Sequence, residues 1–439
     1  MSSTTVIHWF RNDLRLGDNP ALVEACTSAG RLLPVYCHDP AAAAPTRWGF
    51  VRRGPHRRAF LEAALGDLDA ALRARGSRLL VVHGAPADVL PALARAVGAQ
   101  RVVCEAIAAP EEEDEVSALR AAGLQVSAVW QSSLLDPAAL PFAVARLPKV
   151  FTVFRQALES AHVQPPAALP APQALPAWPA ATGGIGQRCV GTDSAQPALS
   201  AGQTDERASF PWWRAEYAGG EQAALAHLAR YFASDLPRHY KATRNGLAGI
   251  DFSSKFSPWL AQGALSARVA FAALRRHEAE RGTSEGSYWL WFELLWRDYF
   301  RFLHLQQGRR LYRACGLNAH AAPPTQAPEA FERWCAGRTG HAFIDAGMRE
   351  LAATGWLSNR MRQVVASYLI HDLGCDWRAG AAWFEAQLVD YDVYSNQGNW
   401  LYIAGRGTDP RGGRRFDPDR QAATYDPDGA YRALWAGRD

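Results

Sequence analysis

The residues of this chain best suited to chemistry lie between Thr354 and Trp400, where carboxylates, guanidiniums and carboxamides stand among tryptophans. Asp390 and Asp392 are two apart, so in extended chain their side chains point the same way. Asn359, Arg362 and Gln363 fall on one face of a helical pattern, and Val364, Val365, Tyr368 and Leu369 continue an apolar face. Trp356, Trp377, Trp383 and Trp400 fit either a packed core or the walls of a pocket. The polar set among them suits a flat, polar, redox-active ring system better than a plain core. Ser253, Ser254, Lys255 and Ser257 precede a helix that Pro258 starts. Their hydroxyls, ammonium and backbone N–H groups could cradle a diphosphate, and they fit a helix cap equally well. Glu293, Arg297 and Arg301 recur at i, i+4 and i+8, either as an exposed ion-pair ladder or, with Trp296 among them, as a pocket wall. Arg406, Arg411, Arg414 and Arg415 crowd a Gly/Pro-rich loop that suits solvated surface or phosphate contact.

Two kinds of structure must position these groups. Residues 1–131 alternate short apolar runs with helical patterns. The runs Val6–Phe10, Leu32–Cys37, Leu79–His83, Val102–Cys104 and Val126–Trp130 read as buried strands. Helices are expected at about 19–29, 56–75, 86–97 and 111–122, with Pro86 and Pro110 at first-turn positions. The pattern predicts an α/β domain with a mostly parallel, doubly wound, five-stranded sheet. Arg11, Asp13, Arg15 and Asp18 after the first strand read as a salt-bridged loop tying two domains together. Residues 132–215 are rich in Pro, Gly and Ala, with a proline run from Pro165 to Pro179 and glycines at 183, 184, 186 and 191. That composition predicts an irregular interdomain connection on the surface, with one helix over 150–159. Residues 216–439 are helical almost throughout, which makes a larger all-α domain.

Hydrophobic content of 48% with 21% charged residues excludes a disordered or fibrous chain. A formal charge of +4 leaves any nucleic-acid contact to a local patch. Only Lys149, Lys241 and Lys255 of the 47 basic residues are lysines, so arginine abundance by itself says nothing about phosphate. The 7 cysteines are scattered without a C-x-x-C, which argues for a reducing compartment and against a metal site. With no signal or transit pattern and no membrane-length apolar run, the expected location is the cytoplasm.

The runs TGWLSNRMRQ, DWRAGAAWFE and VDYD–SN–GNW resemble the flavin-binding core of the photolyase/cryptochrome family, nearest its cryptochrome DASH branch. VIHWFRNDLRLGDNPAL resembles the family's first strand and loop. The resemblance implies FAD folded inside the helical domain, with Tyr240, Ser253, Ser254, Lys255, Phe256 and Ser257 at its phosphates. It implies a flavin held by Trp289, Arg297, Asn359, Arg362, Asp390, Asp392 and Asn396, the last near N5 in place of a repelling carboxylate. Glu293 and Trp296 would face damaged pyrimidines, with Asn359 and Asn396 completing the catalytic set. Arg244, Arg360, Tyr402, Arg406, Arg414 and Arg415 would contact DNA. The implied activity is blue-light repair of cyclobutane pyrimidine dimers, in which excited reduced flavin lends the dimer one electron. Tyr402, where double-strand-active relatives tend to carry Trp, points to single-stranded DNA. A light-sensing cryptochrome without repair is the alternative, and a flavin-free nucleotide-binding protein fits the motifs poorly. A monomer is expected.

Two departures accompany the resemblance. Trp400 and Trp377 match the proximal and middle members of the family's electron-transfer chain, but Pro324 occupies the usual place of the surface member. Trp334, Trp356 and Tyr368 are the candidate substitutes. A folate antenna, common in the DASH branch, would rest partly on a Glu at the place of Ile107, with Glu105 two residues away. Weak or absent folate binding is the expectation.

Overall fold

The computed structural model describes residues 4–179, 187–189, 204–409 and 412–437. Five parallel strands, β1 (Thr5–Phe10), β2 (Arg31–His38), β3 (Leu80–His83), β4 (Ala99–Glu105) and β5 (Gln125–Val129), form the sheet expected from the apolar runs. A short β6 (Gln187–Cys189) adds an antiparallel edge, giving the order β5-β4-β1-β2-β3-β6. Side-chain alternation makes the sheet doubly wound. Val6, Phe10, Leu32 and Tyr36 pack under α1 (Pro20–Ser28) and α2 (Pro55–Arg73). Ile7, Trp9, Leu33 and Val35 point the other way, under α3 (Pro86–Val97) and α4 (Pro110–Ala121). Pro86 and Pro110 each stand at the start of their helix, where a missing N–H costs nothing.

The strand order reverses between β1 and β4, the place where an open α/β sheet usually receives a ligand. Here the helical domain occupies it. Arg15 donates to the Gly263 carbonyl at 2.8 Å, and buried Asp18 pairs with Arg268 at 2.9 Å. The Glu221 carboxylate accepts from the backbone N–H groups of Leu16 and Gly17. Arg11 and Asp13 bond instead inside the α/β domain, so half of the expected tie crosses the boundary.

The stretch 132–215 is more ordered than its composition suggests. α5 (Phe151–Ser160) buries Phe151, Phe154 and Leu158 in the helical core, and Phe210 and Trp212 are buried there too. Prolines exclude ladder N–H groups, but they leave the intervening aromatics free to pack. Gly183, Gly184, Gly186 and Gly191 lie outside the described residues.

The helical domain consists of α6 (Glu221–Ala233), α7 (Leu236–Thr243), α8 (Ser257–Gln262), α9 (Ala267–Arg281), α10 (Glu285–Gln307), α11 (Pro328–Cys335), α12 (Ala342–Thr354), α13 (Asn359–His371), α14 (Trp377–Gln387), α15 (Val393–Ile403), α16 (Pro418–Tyr425) and α17 (Ala430–Leu434). Its core holds Trp259, Trp334, Trp377, Trp400 and Trp435 with almost no exposure. Each removes about 200 Å² of surface, roughly 5 kcal/mol of transfer free energy before entropy is charged. No helix among the described residues is long and apolar enough to cross a membrane.

Candidate functional site

The loop before α8, the middle of α10 and the starts of α13 and α15 converge on one cavity of about 370 Å³. Tyr240, Ser253, Ser254, Lys255, Phe256 and Ser257 line one end. Ser253 and Lys255 take left-handed backbone angles, φ +63° and +58°, at a cost of roughly 1–2 kcal/mol each. The outcome is a lysine only 4% exposed. Burial lowers its pKa to about 8 against the pull of Glu350, and an anion beside it would raise the pKa again.

Asn359, Arg362, Asp390 and Asp392 line the other part, together with a side cavity of about 90 Å³ that Asn396 and Trp400 complete. Asp390 lies in a turn, not in extended chain, yet both aspartates face the same space. Arg362 donates to Asp390 at 2.9 Å and to the Leu357 carbonyl at 2.9 Å. Asn396 donates to the Ala381 carbonyl. Asp392 caps α15 through the Ser395 N–H and pairs with Arg301 at 2.5 Å. Burial opposes ionisation of Asp392, but Arg301 and Arg297 outweigh it and hold the carboxyl at about 2.

The charged stripe of α10 is therefore no exposed ladder. Glu293 turns to Arg244, Arg297 donates to the carbonyls of Ser132 and Leu260, and Arg301 is 2% exposed against Asp392. Arg301, Gln363, Ser395 and Asn399 belong to the site beyond the expected set. Of these, Gln363 had a sequence signal on the Asn359–Arg362 helical face and Arg301 in the stripe of Glu293 and Arg297, while the spacing singled out neither Ser395 nor Asn399.

Glu293, Trp296, Arg244 and Tyr402 line the cavity too. Trp296 is stacked on Phe151, centroids 3.8 Å apart and planes 10° apart, so Phe151 already takes one face of the ring. Trp289 stands one layer behind the lining, beneath Arg244 at 4.7 Å and packed on Phe292. Arg360 also stands off the wall, bonded to Gln421 and Asn245 above Tyr425. Of the described loop arginines, only Arg414 comes near, over Tyr402 at 4.9 Å while paired with Asp409. Arg406 donates to the carbonyls of Ala314 and Ala322, and Arg415 pairs with Asp372. Both hold chain segments and stand apart from the cavity. Arg411 lies outside the described residues.

The donor set fits a flavin dinucleotide. Asp390 Oδ1 and Trp356 Nε1 are buried without hydrogen-bond partners among the described residues, and both residues line the cavity. Lys255 and Arg362 both lie over the Trp356 ring, at 5.1 and 5.0 Å, so two cations stand beside the cavity for an anionic ligand.

The antenna position reads differently. Ile107 is buried, and the crevice it shares with Glu105, Gln131 and Tyr394 holds only about 10 Å³, scarcely one water. Glu105 is 1% exposed, and burial together with Asp13 pushes its carboxyl up to about 8. Purified protein is expected to carry no stoichiometric folate. A near-ultraviolet band separable from FAD, with folate recovered on extraction, would contradict this.

Comparison with known proteins agrees with the geometry. The profile for the FAD binding domain of DNA photolyase matches residues 289–437, and that for DNA photolyase matches residues 6–173. Cryptochrome DASH of Gloeobacter violaceus is 44% identical over 99% of this chain and 86% of its own length. Cryptochrome DASH of Xenopus laevis is 43% identical over 99% of this chain and 82% of its own length. The crystal structure of a Synechocystis cryptochrome superposes with a TM-score of 0.90 at 40% identity, covering 99% of this chain and 89% of that one. A class III photolyase from Agrobacterium tumefaciens gives a TM-score of 0.79 at 28% identity, covering 99% and 87%. With the α/β and helical domains in the family's arrangement and relatives above 40% identity along nearly the whole chain, this is a flavoprotein of the photolyase/cryptochrome family, most like cryptochrome DASH.

Proposed function

We propose that the protein repairs cyclobutane pyrimidine dimers in single-stranded DNA under blue light. The observation that carries the reading is the common cavity. Glu293, Trp296 and Tyr402 line the same space as Asn359, Arg362, Asp390 and Asp392, so a flipped dimer and a flavin would meet across it. Bound and reduced, FAD supplies the light-excitable one-electron donor. Lys255 and the Ser253–Ser257 loop hold the phosphates, and Arg362 with Asp390 fixes the field at the ring. Trp296 offers the dimer its one free face, and Glu293, when protonated, donates to a dimer carbonyl as negative charge develops there. Tyr402, edge-on to Trp296 at 6.2 Å, gives a smaller stacking wall than Trp. It offsets less of the few kcal/mol needed to extrude a dimer from duplex, which favours single strands.

The test is light-dependent repair of a thymine dimer in single-stranded and duplex oligonucleotides, with chemically reduced protein. Repair in the single strand and little in duplex is expected. No repair of either, with FAD fully bound, would leave the light-sensor reading in its place. Glu293→Ala should retain FAD and lower the repair yield several-fold. Flavin loss in that variant, or an unchanged yield, would remove Glu293 from its role.

A further inference from the structure

The repair reading needs Glu293 as a hydrogen-bond donor, yet in this structure its carboxylate is ion-paired with Arg244. An ionised carboxylate only accepts hydrogen bonds, so a dimer carbonyl brought against it would set acceptor against acceptor. We infer that Arg244 is a latch on Glu293: a backbone phosphate of the incoming strand draws the guanidinium away, and the carboxylate then takes up a proton. The inference rests on the repair reading.

The placement of the pair suits an exchange. Arg244 caps the end of α7, Glu293 lies midway along α10, and both line the cavity. Their side chains are 18% and 32% exposed, so a strand can reach the guanidinium from outside. Phosphate is a strong competitor, since it accepts two parallel N–H groups from one guanidinium. Trp289 beneath Arg244, at 4.7 Å, would keep the plane of the group in place as its partner changes.

Among the described residues, the cations around the pair are already bound. Lys241 is bound to Glu285, Arg297 to the Ser132 and Leu260 carbonyls, Arg360 to Asn245 and Gln421, and Arg362 to Asp390. Tyr240, buried on α7, is neutral, because burial and Glu293 itself push its phenol up. Burial already raises the Glu293 carboxyl, and Arg244 works against that rise. Removing the guanidinium leaves desolvation unopposed, and a dimer stacked on Trp296 excludes more water. The balance is simple: one proton passes from solvent to the carboxylate, and no bond within the DNA changes.

The consequence is proton uptake on binding, with affinity falling as pH rises between the carboxyl's pKa in free protein and its higher value in the complex. The experiment is calorimetric titration of the FAD-loaded protein, in the dark, in buffers of different ionisation enthalpy. Three single-stranded oligonucleotides serve: one with a dimer, one with uncharged methylphosphonates at and beside the dimer, and one undamaged. Across a pH series spanning that transition, the dimer strand should take up a measurable part of one proton, and the other two none. Glu293→Gln should bind the dimer strand with no uptake, and Arg244→Gln should bind it more weakly with reduced uptake. FAD absorbance reports that each variant is folded. Dimer binding without uptake at any pH overturns the latch, as does uptake that survives in Glu293→Gln or with methylphosphonates. No preference for the dimer strand over the undamaged one would instead sink the repair reading, and the latch with it.

Discussion

Trp400→Phe should abolish light-driven reduction of oxidised FAD and largely spare repair begun from chemically reduced protein. Trp400 is 2% exposed and lines the side cavity that holds Asn396 and Asp390. Gly380 packs against its indole so tightly that an added Cβ would lie 2.2 Å from the ring, which fixes its place. Trp377, next in the expected path, is equally buried and donates to the Ala314 carbonyl. Pro324 lies two residues before Gln326, which accepts from the Asp376 N–H at the start of the Trp377 helix. The segment that carries the distal place is thus bonded to the start of the Trp377 helix, and a proline there cannot be oxidised. Photoreduction in the unaltered protein should be slow for that reason.

The possible substitutes differ in their surroundings. Trp334 connects to Trp400 through Phe384, with ring centroids 6.2 and 5.1 Å apart, but it has no exposure to solvent. Trp356 lies between Lys255 and Arg362, whose charges oppose a positive hole on the indole. Tyr368 stands against His341 at 5.7 Å. Transient absorption of the two proteins checks the expectation. Fast reduction in the unaltered chain would mean another donor serves, and an unaffected Trp400→Phe variant would reject the whole path.

Asp390→Asn is expected to weaken FAD retention about tenfold to a hundredfold, which corresponds to about 1.4–2.8 kcal/mol. The Asp390 side chain is 3% exposed and is the charge partner of Arg362. Asparagine keeps an acceptor for the guanidinium but removes the charge, leaving two cations, Arg362 and Lys255, on either side of Trp356 with less compensation. Equilibrium titration of apoprotein with FAD, together with the flavin-to-protein ratio on purification, reads the effect. Normal affinity and a normal ratio would show that the pairing contributes little.

These expectations rest on residues that were legible in unequal degree. Val6–Phe10 and Leu32–Cys37 could be read as strands because a sheet covered on both faces demands unbroken apolar runs. Pro86 and Pro110 marked helix starts because proline's constraint is local. The cavity was legible only as a long motif pattern, since Ser253, Asn359 and Asp390 meet through tertiary packing that no local period encodes. Trp289 lies one turn before Glu293 on the same helical face, but in that turn it is Leu290 that reaches the cavity, and the Trp289 ring lies under Arg244. The anchors of Arg297 were hidden altogether: they are backbone carbonyls, which carry no side-chain signature. Phe151 was hidden by composition, an aromatic inside a stretch that reads as linker.

That last residue has a consequence for timing. A lone tryptophan on a cavity wall would sample several rotamers, and part of each encounter would be spent waiting for the right one. With Phe151 flat against it and Tyr299, Phe300 and Tyr402 around its edge, Trp296 has been set before any strand arrives. On the repair reading, an arriving dimer would not start a stack but would become the third layer of one, much as an extra base joins the end of a helix. The stacking step should then add almost no delay of its own, and its frequency should follow how often the lesion is exposed in the DNA.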